Sequence, residues 1–276
     1  MADSRTSTIT PPETKYLKDY RAPDFQIEQV TLVFDLREGV THVRATSQVR
    51  REGAEDAVLR LDGHDMTLMS VAVDGVRLTA DQYQLEDHHL TLPHVPDQFE
   101  LTIENEFDPA QNTALEGLYV SKGMYCTQCE AEGFRRITYF LDQPDVMATY
   151  RVRIEADKTA YPVLLSNGNN IEQGDLADGR HYVVWDDPFP KPSYLFALVA
   201  GDLAVLEDHF TTRSGAPVTL RIFVAPEDLD KCPHAMDSLK KAMVWDEQVY
   251  GLEYDLDIFN IVAVSHFNMG AMENKG

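Results

Sequence analysis

A chain of 276 residues with 43% hydrophobic and 25% charged residues has the length and composition of one large soluble domain or two ordinary ones. Its 24 basic against 46 acidic side chains leave a net charge of −22, which argues against nucleic acid or an anionic membrane surface as a partner. Such a surface fits a cationic ligand loosely and reads first as a solvated, solubilising one.

Residues 1–23 are polar and carry Pro11, Pro12 and Pro23, which predicts an arm with little regular structure. They contain no apolar stretch of the kind a secretory signal needs. From Gln26 the pattern turns to period two: Leu32, Phe34 and Leu36 alternate with Thr31, Val33 and Asp35. After Glu38-Gly39 the return run places Val43, Ala45, Ser47 and Val49 on one face, a hairpin with one wet side. Asp74-Gly75 between two apolar runs is a stronger hairpin signal. Further strands are expected at 88–92, 99–107, 149–156, 181–185 and 194–200. With no sustained helical period before Gly201, the spacing argues for an antiparallel sandwich or saddle.

The texture changes near Gly201-Asp202. After a strand at 218–224, Pro226-Glu227-Asp228 opens a predicted helix with Ala235, Met236, Leu239, Ala242 and Met243 on one face, and Gly251 supplies a stop. An apolar strand over 257–264, expected to be buried, follows. Strand, helix, strand is the start of an α/β unit. The expected division is an arm over 1–23, a β-rich domain over 24–202 and the beginning of an α/β domain over 203–276.

Cys126 and Cys129 form a C-x-x-C with no second pair, and Cys232 is remote, so they read as partly buried thiols rather than a zinc or redox site. Three cysteines cannot all pair within one chain, and the apolar stretch 194–200 is far too short to cross a bilayer. Together with the polar N-terminus these features suggest a reducing cytoplasm. Glu130 and Glu132 precede Arg135-Arg136; from the residues alone they are solvated acids or partners of those arginines. Glu273 stands in a glycine-bounded loop, Gly270-Ala271-Met272-Glu273-Asn274, closely after the expected strand 257–264. Loops of that kind present a carboxylate to a ligand, although most such acids are merely solvated. None of the nine histidines begins H-E-x-x-H, and His266, near that loop, reads as structural or solvated rather than as a ligand.

The pentapeptide 270–274 resembles the exopeptidase signature of the zinc aminopeptidases of the aminopeptidase N family. Gln128-Cys129-Glu130 resembles the family's substrate loop, with Gln128 and Glu130 matching its substrate-binding Gln and Glu. Asp142-Gln143-Pro144-Asp145, Leu165-Ser166-Asn167-Gly168-Asn169, 187–197 and Gly201-Asp202 extend the likeness, which runs from about residue 13 to the end and is strongest to the bacterial, alanine-preferring branch. One departure is Ser265-His266, where many members carry an acid near the first position.

The resemblance implies a mainly β fold, a sandwich or saddle followed by the start of a thermolysin-like α/β catalytic domain. It implies that Glu273 and Glu130 grip the free α-amine of a peptide substrate and that Gln128 assists. Gly270 and Ala271 would offer backbone groups, Met269 an apolar wall, and Met272 and Asn274 would complete the substrate-binding loop. The zinc motif H-E-x-x-H is expected beyond Gly276, with one zinc per complete enzyme and no catalytic or metal-binding residue in this chain. The implied partners are peptides with a free N-terminal amine, acted on by a monomer. Two other readings stay open: a non-catalytic β-rich binding module, and the related epoxide-hydrolysing aminopeptidases that share G-x-M-E-N.

Overall fold

Residues 14, 16–265, 267 and 269–275 are described by a computed structural model. The remainder, including Pro11-Pro12, His266 and Gly276, lies outside the described residues. Strands β1 (Phe25–Arg37) and β2 (Val40–Arg51) form the expected hairpin. Leu32, Phe34 and Leu36 are buried on the same side as Val43, Ala45, Ser47 and Val49, because period-two alternation sends every second side chain to the same face. The opposite face is wet and ionic, with Arg44 paired to Glu104 at 2.6 Å and Arg50 to Glu28 at 2.8 Å.

The chain continues through β3 (Leu59–Asp62), β4 (Thr67–Val73), β5 (Val76–Arg77), β6 (Gln84–Glu86), β7 (His89–Leu92) and β8 (Gln98–Phe107). Asp74 and Gly75, at φ +50° and +76°, make the tight turn between β4 and β5 that Asp-Gly favours. Then come β9 (Gly117–Ser121), β10 (Met124–Gln128), β11 (Ala148–Asp157), β12 (Val163–Ser166), β13 (Asn169–Asp175), β14 (Arg180–Lys191) and β15 (Leu198–Gly201). An eight-stranded sheet runs in the order β13-β14-β11-β1-β2-β8-β4-β5 and a four-stranded one in the order β12-β15-β10-β9. Both contribute to one apolar cluster. At its centre Phe196 lies 5.9 Å from Phe34 and 5.3 Å from Phe134 between ring centroids, and burying each ring contributes about 2–3 kcal/mol.

From Ala204 a separate three-stranded sheet forms from β16 (Ala204–Thr211), β17 (Pro217–Val224) and β18 (Ile258–Val262). Helix α1 (Cys232–Val249) connects β17 to β18, and those two strands pair in parallel, as a crossover requires. This unit carries its own small core of Val218, Leu220, Ile222, Val224, Cys232, Met236 and Met243. Phe223 points the other way and joins the large cluster, with Val262 and Val264 packed against it.

Several expectations need correction. The sheets are not wholly antiparallel: β1 and β11 run parallel at the middle of the large sheet, a pairing of distant segments that local patterning cannot reveal. The strand expected at 194–200 begins only at Leu198, because Ser193–Leu195 turn as a single 3-10 turn after Pro192. The 226–231 segment is likewise 3-10 rather than α-helix. Ala235 and Ala242 are exposed; Cys232, Met236 and Met243 form the buried stripe. Every residue of β18 is half-buried rather than buried, since it lies at a sheet edge. Cys126 and Cys129 are fully, not partly, buried free thiols. His88 precedes β7 rather than lying within it, and its ring sits 4.4 Å from that of His64.

Candidate functional site

Gln128 ends β10 and is 1% exposed. The chain then turns sharply, closed by the Gly133 N–H donating to the Cys129 carbonyl at 2.8 Å. Cys129 and Phe134, both 0% exposed, anchor the two ends of this turn in the core. Gly133 is required by close approach: a Cβ there would lie 2.5 Å from the Gln128 carbonyl oxygen and 2.9 Å from Cys129 Cα. Glu130 rides on the outside of the turn, half-buried, and its peptide bond to Ala131 is cis.

Asp142, 3% exposed, holds the far side of the turn. Its carboxylate accepts from Arg135 N at 3.1 Å, Arg135 Nε at 3.0 Å and Ser193 Oγ at 2.5 Å, while Arg135 Nη2 donates to its carbonyl at 3.1 Å. Burial pushes the Asp142 carboxyl up, against the opposing pull of Ser193 and Arg135. Glu132 spends its charge on Arg135, 3.6 Å away, as the residue pattern allowed. Glu130 has no ion-pair partner among the described residues. It lines a cleft of about 790 Å³ together with Ala131, Glu132, Asp145 and Tyr194.

The second loop reaches the same region from the other unit. Past β18, Met269 is 43% exposed, Gly270, Ala271 and Glu273 are exposed, and Met272 is half-buried. Gln128 joins the two loops. Its side-chain amide lies 3.3 Å from the Glu130 carbonyl oxygen and 3.9 Å from Met272 Sδ, whereas its Oε1, fully buried, has no hydrogen-bond partner among the described residues. Glu273 also lacks an ion-pair partner among the described residues and does not line the cleft around Glu130. Asn274 differs from the residues before it. Its side-chain amide donates to the carbonyls of Leu195 at 3.0 Å and Phe196 at 3.4 Å, so it faces the β-sheets rather than open solvent.

Residues 25–195 match the peptidase M1 N-terminal domain and residues 234–276 match the peptidase family M1 domain. The chain belongs to peptidase family M1. It is 58% identical to aminopeptidase N of Escherichia coli K12 over 96% of its own length and 30% of that relative. With aminopeptidase N of Caulobacter vibrioides it shares 56% identity over 99% of this chain and 31% of that relative. The fold matches a crystal structure of Legionella pneumophila aminopeptidase A in complex with aspartic acid, at a TM-score of 0.90 and 36% identity, covering 95% of this chain and 31% of that one. The chain thus spans about a third of the length of the curated relatives it matches.

Among the described residues of this family M1 chain, no group of three or more His, Cys, Asp or Glu side chains could hold a metal ion. Nor is any helix among them long and apolar enough to cross a membrane. Asp142 and Ser193 entered the sequence reading only within stretches that resemble the family, and no patterning marked them as supports of the Glu130 turn. Their signal was a buried polar side chain, which only the packed structure exposes.

Proposed function

We propose that this chain supplies the amine-recognition half of a zinc aminopeptidase that removes N-terminal residues from peptides. The single observation that carries the reading is Gln128, whose amide touches both the Glu130 carbonyl and Met272, the neighbour of Glu273. Two acids with no ion-pair partner among the described residues, on loops joined in this way, suit one ammonium group, which each would bind through a charge-assisted hydrogen bond worth about 1.5–3 kcal/mol. Gly270 and Ala271 would present backbone groups and Met269 an adaptable apolar wall. Asn274 would hold the loop in place.

The donor set among the described residues does not fit a zinc site, so no step of hydrolysis is assigned to this chain; in the complete enzyme the metal would come with residues outside it. The domains would divide near residue 202, with the acids contributed from either side. Three buried free thiols support a reducing cytoplasm as the compartment, and we read the enzyme as a monomer. The test is the full-length enzyme that carries this chain, given alanyl p-nitroanilide and its N-acetylated form. Hydrolysis of the first and rejection of the second by more than about 100-fold, the scale of losing two charge-assisted hydrogen bonds, supports the reading. Equal turnover of both refutes it.

A further inference from the structure

Asn167, 2% exposed, lies outside the amine site, yet its side chain is aimed at the loop that carries Glu273. Nδ2 donates to the Asn274 carbonyl at 2.6 Å, the Lys275 carbonyl at 3.1 Å and the Leu195 carbonyl at 3.1 Å. Oδ1 accepts from the Ala197 N–H at 2.7 Å. Two amide protons therefore serve three carbonyls, two of them in the chain directly after Glu273. Asn274 returns the contact through its own side chain to Leu195 and Phe196. Two residues on, Asn169 forms a second reciprocal pair: its Nδ2 donates to Asp257 Oδ2 at 3.2 Å and its Oδ1 accepts from the Asp257 N–H at 3.0 Å.

The turn that carries both asparagines cannot shift easily. Gly168 has φ +85°, and a Cβ there would lie 2.3 Å from the Asp186 carbonyl oxygen, so the turn is pressed against β14. Asn169 starts β13 and pairs with Asp186. We infer that Asn167-Gly168-Asn169 is a clamp that sets where the Glu273 loop stands relative to Glu130, with Asn167 as a positioning residue. It grips the segment 257–275 near both ends, at Asp257 and at Asn274-Lys275. The path to Glu130 is continuous. Asn167 holds Ala197, the next residue opens β15, the Leu198 N–H donates to Thr127 Oγ1 at 2.8 Å, and Gln128 follows. That the positioned group is an amine-binding acid rests on the function proposed above; the clamp itself does not.

Peroxide oxidation of Met272, half-buried with its sulfur against Gln128, reads the clamp on the 276-residue chain. Asn167→Asp keeps the shape and removes both donors. Met272 should oxidise about threefold faster or more, while amide exchange in β1 and β11 stays unchanged, the signature of a local opening. Asn167→Ser, which still donates once, should fall between. Asn274→Ala breaks the reciprocal contact from the loop side and should accelerate the same oxidation, which tests the clamp even where an Asn167 variant fails to fold. Unchanged oxidation of Met272 overturns the inference, as does faster exchange in β1 and β11.

In the full-length enzyme, Asn167→Asp should raise KM for a free-amine substrate about tenfold with kcat altered less and zinc content unchanged. If Glu273→Gln raises KM and Asn167→Asp does not, the positioning role fails and the amine site stands. If neither raises KM while Met272 oxidation accelerates, the amine reading fails and the clamp stands.

Discussion

The side-chain amide of Gln128 lies 3.9 Å from the sulfur of Met272, so the end of β10 touches the residue next to Glu273. Since the same amide reaches the Glu130 carbonyl, a displacement of either loop is felt by the other. The two acids belong to segments more than a hundred residues apart in sequence, and this contact brings those segments together.

If Glu130 and Glu273 share one ammonium, Glu130→Gln or Glu273→Gln in the full-length enzyme should each cost about 2–3 kcal/mol in kcat/KM. The double variant should lose less than the sum, because both acids act on a single group. Steady-state kinetics with metal analysis decides this. Loss of zinc in Glu273→Gln would assign that residue a different role, and an unaltered kcat/KM removes the residue from the site.

Gly133→Ala should destabilise the chain by about 2 kcal/mol or more, since the new methyl meets backbone on three sides with no flexible side chain to yield. Gly39→Ala is the control: it has φ +75° and open space, so it carries backbone strain without a clash and should cost only about 1 kcal/mol. Urea unfolding of both variants separates a crowded glycine from a merely left-handed one.

The region after residue 202 should be the less stable part. Its private core is small, while Trp245, Val249, Tyr250 and Leu252 on and beyond α1 are all more than half exposed, leaving apolar surface in water. Limited proteolysis should trim residues 203–276 before the β-sheets that precede them. Equal protection throughout would argue against a boundary near residue 202.

Acidification should weaken the fold through two histidines. Burial pushes His64 down, helped by His88, Arg135 and Arg136 and opposed by Asp65; burial also pushes His89 down, with Arg60, against Asp62 and Glu86. Both folded values lie below 6.5, so the unfolded chain binds protons first as pH falls. Stability is retained above that value and is lost progressively as pH drops through 6.5 toward the depressed folded values. Melting curves between pH 7.5 and 5 should show a flatter pH dependence in a His64→Gln, His89→Gln variant, and an unchanged slope would exclude these two residues as the source.

Much of the architecture was legible because burial imposes a period on the chain. Leu32, Phe34 and Leu36 announce a strand with one dry face, Asp74-Gly75 a tight turn, and Pro226 with Gly251 the limits of a helical region. Strands without a clean alternation escaped, and so did β16, although its residues alternate between half-buried and exposed. β12 is a short run buried at three of its four residues, and β13 is an exposed edge of polar residues, and neither carries a half-buried period.

The two acids proposed to bind the amine were singled out only by the family likeness of their short motifs, and a motif is a local property of the chain. Local physics determined the hairpins, the helix stripe around Met236 and Met243, and the glycine-bounded turn that carries Glu273. Only the tertiary structure decided that β1 lies parallel to β11, that Gln128 touches Met272, and that Asn167 holds the carbonyls after Glu273. Each of these joins segments far apart in the chain. They depend on how whole sheets pack, a sum over many weak apolar contacts that no short stretch of residues records.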